Sequence, residues 1–139
     1  MNATITQVKT ALADGLEPIL TAAGVQEFLT FRTLRATAGV IAMLSNAGNM
    51  TERGTTGEDG AIHDYTLYVL ARYENTAASQ EAAENVLDEV ETAVMESGLT
   101  LESSLWRDIE YRQASSRPAS PAEYLGWRWM EIYLRVYLH

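Results

Sequence analysis

Residues 123–138 constrain the fold more than any other stretch of this chain. Their even positions run Tyr124, Gly126, Arg128, Met130, Ile132, Leu134, Val136 and Leu138. Their odd positions run Leu125, Trp127, Trp129, Glu131, Tyr133, Arg135 and Tyr137, with His139 next in line. Successive side chains of a strand point to opposite faces, so this period of two predicts one long β-strand. The even face is nearly all apolar and is expected to face the core. The odd face interleaves four aromatics with Glu131 and Arg135, and it has two readings. The strand is central and covered on both sides, for instance by the first helix. Alternatively the face meets a partner, because Trp, Tyr and Arg concentrate where binding energy is concentrated. At about 3.3 Å per residue such a strand outruns a small domain's core. Part of it is therefore expected to project, which favours contact between subunits.

A strand of this kind needs a sheet, and the rest of the chain supplies one. Residues 38–44 (AGVIAML) form a short apolar run that reads as a buried strand. Residues 62–74 alternate, with Tyr65, Leu67, Val69, Ala71 and Tyr73 on one side and Thr66, Tyr68, Leu70 and Arg72 on the other. Residues 101–112 alternate likewise, with Leu105, Arg107, Ile109 and Tyr111 opposing Trp106, Asp108, Glu110 and Arg112. Two helices complete the pattern. In residues 3–23, Ile5, Val8, Leu12, Leu16, Ile19 and Ala23 recur at spacings of three and four, with Gly24 as a stop. Pro18 predicts a kink or restart there. In residues 77–97 the stripe is Ala82, Ala83, Val86, Leu87, Val90, Ala93 and Val94, capped by Asn75, Thr76 or Ser79 and ended by Gly98.

The expected architecture is therefore α+β, in the order α-β-β-α-β-β. It is a single domain over residues 1–139, with one antiparallel-rich four-stranded sheet packed by two helices. Residues 25–37 give no clear reading. Residues 45–61 (SNAGNMTERGTTGEDGA) read as a long polar loop holding four glycines, with Asp59-Gly60 as a tight turn inside it. Residues 113–122 read as a second loop, punctuated by Pro118 and Pro121.

Chemistry is hard to find in this chain. It has no Cys, so thiolate nucleophiles, disulfides and zinc-thiolate sites are excluded. Its two histidines, His63 and His139, have no spaced partner for a metal. No Gly-x-Ser-x-Gly elbow occurs. Gly48 and Gly54 have five residues between them where a phosphate loop wants four, and Arg53 precedes Gly54 where Lys should follow. Glu58-Asp59 alone is too little for calcium. No catalytic residue, cofactor or metal ligand is assigned, and the expectation is a protein that works by assembly.

Charge sharpens that expectation. The formal net charge is -9, and residues 74–110 carry ten acidic groups against Arg107 alone. Such an acidic surface repels a phosphate backbone, so nucleic-acid binding is not expected. Apolar runs are too short to span a membrane, and the N-terminal MNATITQVKTALADG lacks a signal core, which reads as a cytoplasmic product.

The order of elements resembles the tail terminator family of long-tailed, lambda-like phages. The residues that carry the resemblance are Gly39 to Leu44, the polar glycine-containing loop, Tyr65 to Ala71, the helix with Val86, Leu87, Val90 and Val94, and the ending Trp129 to Leu138. Residues 25–37 lack the Pro-rich approach that relatives often have. The resemblance implies a structural protein forming a six-fold ring. Such a ring caps the tail tube, stops its polymerisation and offers a surface to the head-completion protein at the neck. It implies a place in the virion at the head-proximal end of the tail, after assembly in the host cytoplasm. DNA would pass through the lumen without specific binding, past an acidic lining. On this reading the tube or neck contact is the 45–61 loop, with Asn49, Met50, Glu52, Arg53, Glu58 and Asp59. The ring contact is the odd face of the last strand: Trp127, Trp129, Glu131, Tyr133, Arg135 and Tyr137. The alternatives are another neck or tail-completion connector, or a cofactor-free small-molecule binder, which would need a closed apolar pocket.

Overall fold

The computed structural model describes residues 4–30, 39–53, 59–97, 100–116 and 126–139, with backbone only at 49–53, 59–60 and 113–116. The first helix, α1, runs Ile5–Ala22. Thr4 starts it with a reciprocal cap: its Oγ1 accepts from the Gln7 amide at 3.1 Å, and Gln7 Oε1 accepts from the Thr4 amide at 2.9 Å. Val8, Leu12, Ala13, Leu16 and Leu20 are its buried stripe. No restart occurs at Pro18, and one helix runs through it. Pro18 is exposed, so water can take the Asp14 carbonyl that the proline leaves unbonded. Gly15 sits mid-helix because a Cβ there would meet Leu101 Cδ1 at 3.1 Å. Gly24, at φ +111°, ends the helix in a conformation that side chains disfavour.

The sheet has five strands, where the sequence pattern led us to expect four. The extra one is β1, Glu27–Leu29, which pairs parallel with β2, Val40–Arg53. Three residues are too few to leave a periodic signal. They are held by Gln26, whose Oε1 accepts from the amides of Gly39 at 2.8 Å and Val40 at 3.2 Å. Next come β3 (Asp59–Arg72), helix α2 (Ala77–Ser97), β4 (Trp106–Ser116) and β5 (Trp127–Leu138). The spatial order is β1-β2-β3-β5-β4, and every pair except β1–β2 is antiparallel.

Both helices lie on one face of the sheet. Their buried stripes pack with Ala42, Leu44, Tyr65, Leu67, Val69 and Ala71, and with Met130, Ile132, Leu134, Val136 and Leu138 of β5. The even face of the last strand is therefore core, as its pattern predicts. A fully buried residue such as Ile132 contributes about 2 kcal/mol relative to leaving it exposed. Helix α2 takes its cap from Thr76, whose Oγ1 accepts from the Ser79 amide at 3.2 Å. Thr76→Ala is expected to cost about 1 kcal/mol, seen as a lower midpoint in urea denaturation at unchanged slope. The expected stop at Gly98 lies outside the described residues.

Three expectations are corrected. The 45–61 loop is largely strand: β2 and β3 pair continuously from Val40↔Ala71 to Arg53↔Asp59, with one register shift between Asn46 and Gly48. Asp59 and Gly60 are paired strand residues, not a turn. This stretch shows no apolar alternation, and the backbone hydrogen bonds that pair β2 with β3 do not require one. The third correction concerns β4. It starts later than expected and runs on to Ser116, into the segment read as a loop. A register shift between Trp106 and Asp108 puts Trp106 on the same face as Ile109, although the two were expected to oppose each other.

Candidate assembly surfaces

The odd residues of β5 face away from both helices. Pairing with β3 sets Leu70 against Trp129, Tyr68 against Glu131, Thr66 against Tyr133 and Asp64 against Arg135. The sheet strand order makes β5 central, between β3 and β4. The helix-free face therefore carries a row of side chains spanning two strands, with two unlike halves.

One half is apolar. Trp127 and Trp129 are 8% and 7% exposed, and they cluster with Ile41, Met43 and Leu70, joined by Leu29 and Tyr68. Tyr68 and Trp129 meet at 5.1 Å between ring centroids, tilted by 52°. The Arg72 guanidinium lies 4.6 Å over the Trp127 ring. The reading in which α1 covers this face is not met, since α1 packs on the other side. The burial still makes both tryptophans part of the chain's own packing.

The other half is polar and half-buried. Trp129 Nε1 donates to Glu131 Oε1 at 3.3 Å, and the Tyr133 hydroxyl donates to Glu131 Oε2. Arg135 grips Asp64 with two bonds, Nε to Oδ1 at 2.8 Å and Nη2 to Oδ2 at 3.1 Å. That carboxylate is the main reason the Arg135 guanidinium is held even more firmly charged than usual. The Tyr137 hydroxyl donates to Glu110 on β4, which pushes its pKa up, and Arg107 lies 5.4 Å from its ring. The polar groups on this half satisfy one another and remain within reach of a partner.

The second surface is the β2–β3 tip. The last β3–β5 pair is Ile62↔Tyr137, but β2 and β3 pair three residues further, through Thr51↔Ala61 and Glu52↔Gly60 to Arg53↔Asp59. This two-stranded end extends about 10 Å past its neighbour. Asn49, Met50, Glu52, Arg53 and Asp59 are therefore brought together on one hairpin, remote from the tryptophans at the other end of β5. Glu58 lies outside the described residues. Along the outer edge of β2, β1 pairs with Ile41 to Met43.

Sequence reasoning missed one polar site. His63, 5% exposed, sits on the helix side with its Nδ1 3.2 Å from the Tyr65 hydroxyl. That hydroxyl also reaches the Ile5 carbonyl at 3.5 Å, tying α1's first turn to β3. Burial pushes the His63 pKa below 6.5 and the Tyr65 pKa upward. The alternation of residues 62–74 already placed His63 on the Tyr65 face, which was the available signal. Unfolding returns His63 to its ordinary pKa, so the unfolded state binds more protons below pH 6.5. Stability is full above that pH and falls as pH drops toward the folded pKa, by at most about 1.4 kcal/mol per pH unit. His63→Gln should flatten that part of a stability-versus-pH curve.

The concavities are open: a groove between the C-terminal parts of α1 and α2, a second along α1, and a third lined by Leu101, Trp106, Arg107 and His139; no group of three or more metal-capable side chains occurs among the described residues. No described helix is long and apolar enough to cross a membrane.

No protein-family model matches the chain, and no curated protein matches it. A solved structure does. The chain is similar to one in the "virion of native gene transfer agent (GTA) particle", at a TM-score of 0.63 and 15% identity, covering 94% of this chain and 93% of that one. At that identity the likeness is one of fold, and it extends over nearly the whole of both chains.

Proposed function

We propose that this chain is a virion structural protein that terminates a phage-type tail. The observation that carries the reading is the near end-to-end fold likeness to a chain of a gene transfer agent virion. The resemblance in element order to tail terminators supports the narrower role. In this role, copies form a ring, six-fold as in that family, that caps the tail tube, stops its growth and presents a surface to the neck. The protein works by shape and not by catalysis. Its place is the head-proximal end of the tail.

The two surfaces divide that labour. The half-buried row Glu131, Tyr133, Arg135 and Tyr137 provides the ring contact, since it offers aromatic and charged groups already fixed by neighbours. The β2–β3 tip reaches beyond the sheet and provides the contact to tube or neck. A heterologous contact of this kind closes into a ring when its rotation allows. DNA would pass through the lumen unbound, because α1 and α2 together carry eight carboxylates against Lys9.

The deciding experiment measures the protein's mass by light scattering, alone and mixed with polymerised tail tubes, with negative-stain imaging of the mixture. Rings, or density at one end of each tube, are expected. A compact dimer that ignores tubes would overturn the reading and reopen that of a small-molecule binder. A ring that binds only the neck would make it a connector.

A further inference from the structure

The β2–β3 hairpin carries a β-bulge at its base. Asn46 opposes Tyr65 and Gly48 opposes Asp64, so Ala47 is one residue too many on β2. A bulge bends its strand and increases the local twist, so it sets the direction of what lies beyond it. Gly48 holds φ +148° there, and a Cβ on it would meet nothing within 4 Å. Glycine is needed at this position for its backbone and not for space. From Gly48 the strand runs five residues to Arg53, about 17 Å. Over that length, a rotation of about 10° at the bulge moves the end by about 3 Å, enough to make or miss a contact.

Side chains clamp this bulge and carry it to the polar row of β5. The Asn46 carboxamide donates to the Asp64 carbonyl at 3.2 Å. Asn46 also hydrogen-bonds the Tyr65 hydroxyl, which reaches the Ile5 carbonyl of α1 at 3.5 Å. On the opposite face, Arg135 holds the Asp64 carboxylate with its two bonds. Asp64 is thus tied to the bulge through its backbone and to β5 through its side chain. Ladder pairing with β5 holds β3 as far as Ile62. A bulge interrupts such a ladder, so at this point β2 depends on side-chain bonds for its direction. The side chains of Arg135 and Asp64 are 15% and 27% exposed. Water screens such a pair little, yet a side chain from outside can still reach it.

We infer that Asp64 couples the two assembly surfaces: the grip of Arg135 on its carboxylate sets the direction in which the hairpin tip points. The inference rests on reading the β5 row as ring contact and the tip as tube or neck contact. A neighbouring copy whose side chain competes for Arg135 or Asp64 loosens the clamp, so the tip of a ring subunit points differently from that of an isolated chain. Coupling of this kind is reciprocal. A tip seated on a tube holds the bulge, and through Asp64 it favours one arrangement of the ring contact.

The test is amide hydrogen exchange on the full chain in the absence of tails. Arg135→Ala is expected to speed exchange about ten-fold at residues 50–53 and 59–62, with Leu87 and Val90 of α2 unchanged. Asn46→Ala leaves the ion pair in place and should loosen the same amides. The double variant should reach about ten-fold and not about a hundred-fold, because either change breaks the same chain of bonds. Arg135→Lys keeps the charge and should restore most of the protection. Tyr133→Phe trims a hydroxyl that donates to Glu131 in the same row and should leave the tip unchanged. A tip unaffected by Arg135→Ala, a rise shared equally by α2, or multiplying effects in the double variant would overturn the inference. Exchange decides the coupling whether or not the chain caps tubes, so failure of the tail reading shows separately, in the light-scattering and imaging experiment.

Discussion

Trp129→Ala is expected to cost about 4 kcal/mol of stability, close to the most that one side-chain truncation removes from a domain of this size. The indole is 7% exposed and packs among Ile41, Met43, Leu70 and Trp127, with Tyr68 tilted against it. Truncation opens a cavity that the strand backbone cannot collapse, because β5 is pinned between β3 and β4. It also removes the Nε1 donor that Glu131 accepts from. In a thermal scan the loss corresponds to a drop on the order of 15 °C. Tyr133→Phe, one step along the same face, removes only a hydroxyl and should cost about 1 kcal/mol. Urea denaturation of both variants separates two roles that the sequence leaves merged. If Trp129→Ala loses less than about 1 kcal/mol, the tryptophans are not structural and the whole odd face is free for a partner.

That separation shows how far the sequence could be read. The alternation of residues 123–138 correctly makes the even face core, because a period of two fixes which side chains share a face. It cannot say what the odd face meets, since a chain's own packing and a partner's surface ask for the same large side chains. The tryptophans proved buried while Glu131, Tyr133, Arg135 and Tyr137 stayed half-exposed. Helix α2 was equally legible, from its stripe and its Thr76 cap. The misses have separate causes. Strand β1 is too short for periodicity, and its anchor is the single side chain of Gln26. The register shift after Trp106 inverts a face in a way that no pattern of alternation contains. The pairing of Asp64 with Arg135 joins residues 71 apart in sequence, and only the sheet order brings them together.

Shortening the β2–β3 tip is expected to abolish tube capping while leaving the fold intact. Residues 51–61 are removed, and Met50 is joined to Ile62 by Asn-Gly. Met50 and Ile62 face each other across the hairpin, so a two-residue turn closes the gap without moving either strand. The excised pairs, Thr51↔Ala61 to Arg53↔Asp59, lie beyond the last β3–β5 pair, and Ala61, which packs at the margin of the main apolar cluster, gives up only a methyl group. Thermal stability should therefore change by less than about 1 kcal/mol, and the mass of the free protein should be unchanged. If the tip provides the tube contact, tubes mixed with the shortened protein should lengthen as they do without a terminator, and imaging should find no density at their ends. A shortened protein that still forms rings but leaves tubes uncapped assigns ring contact and tube contact to different parts of the chain. Normal capping would move the tube contact off the hairpin and onto the helix layer, where the groove between α1 and α2 is the next place to look.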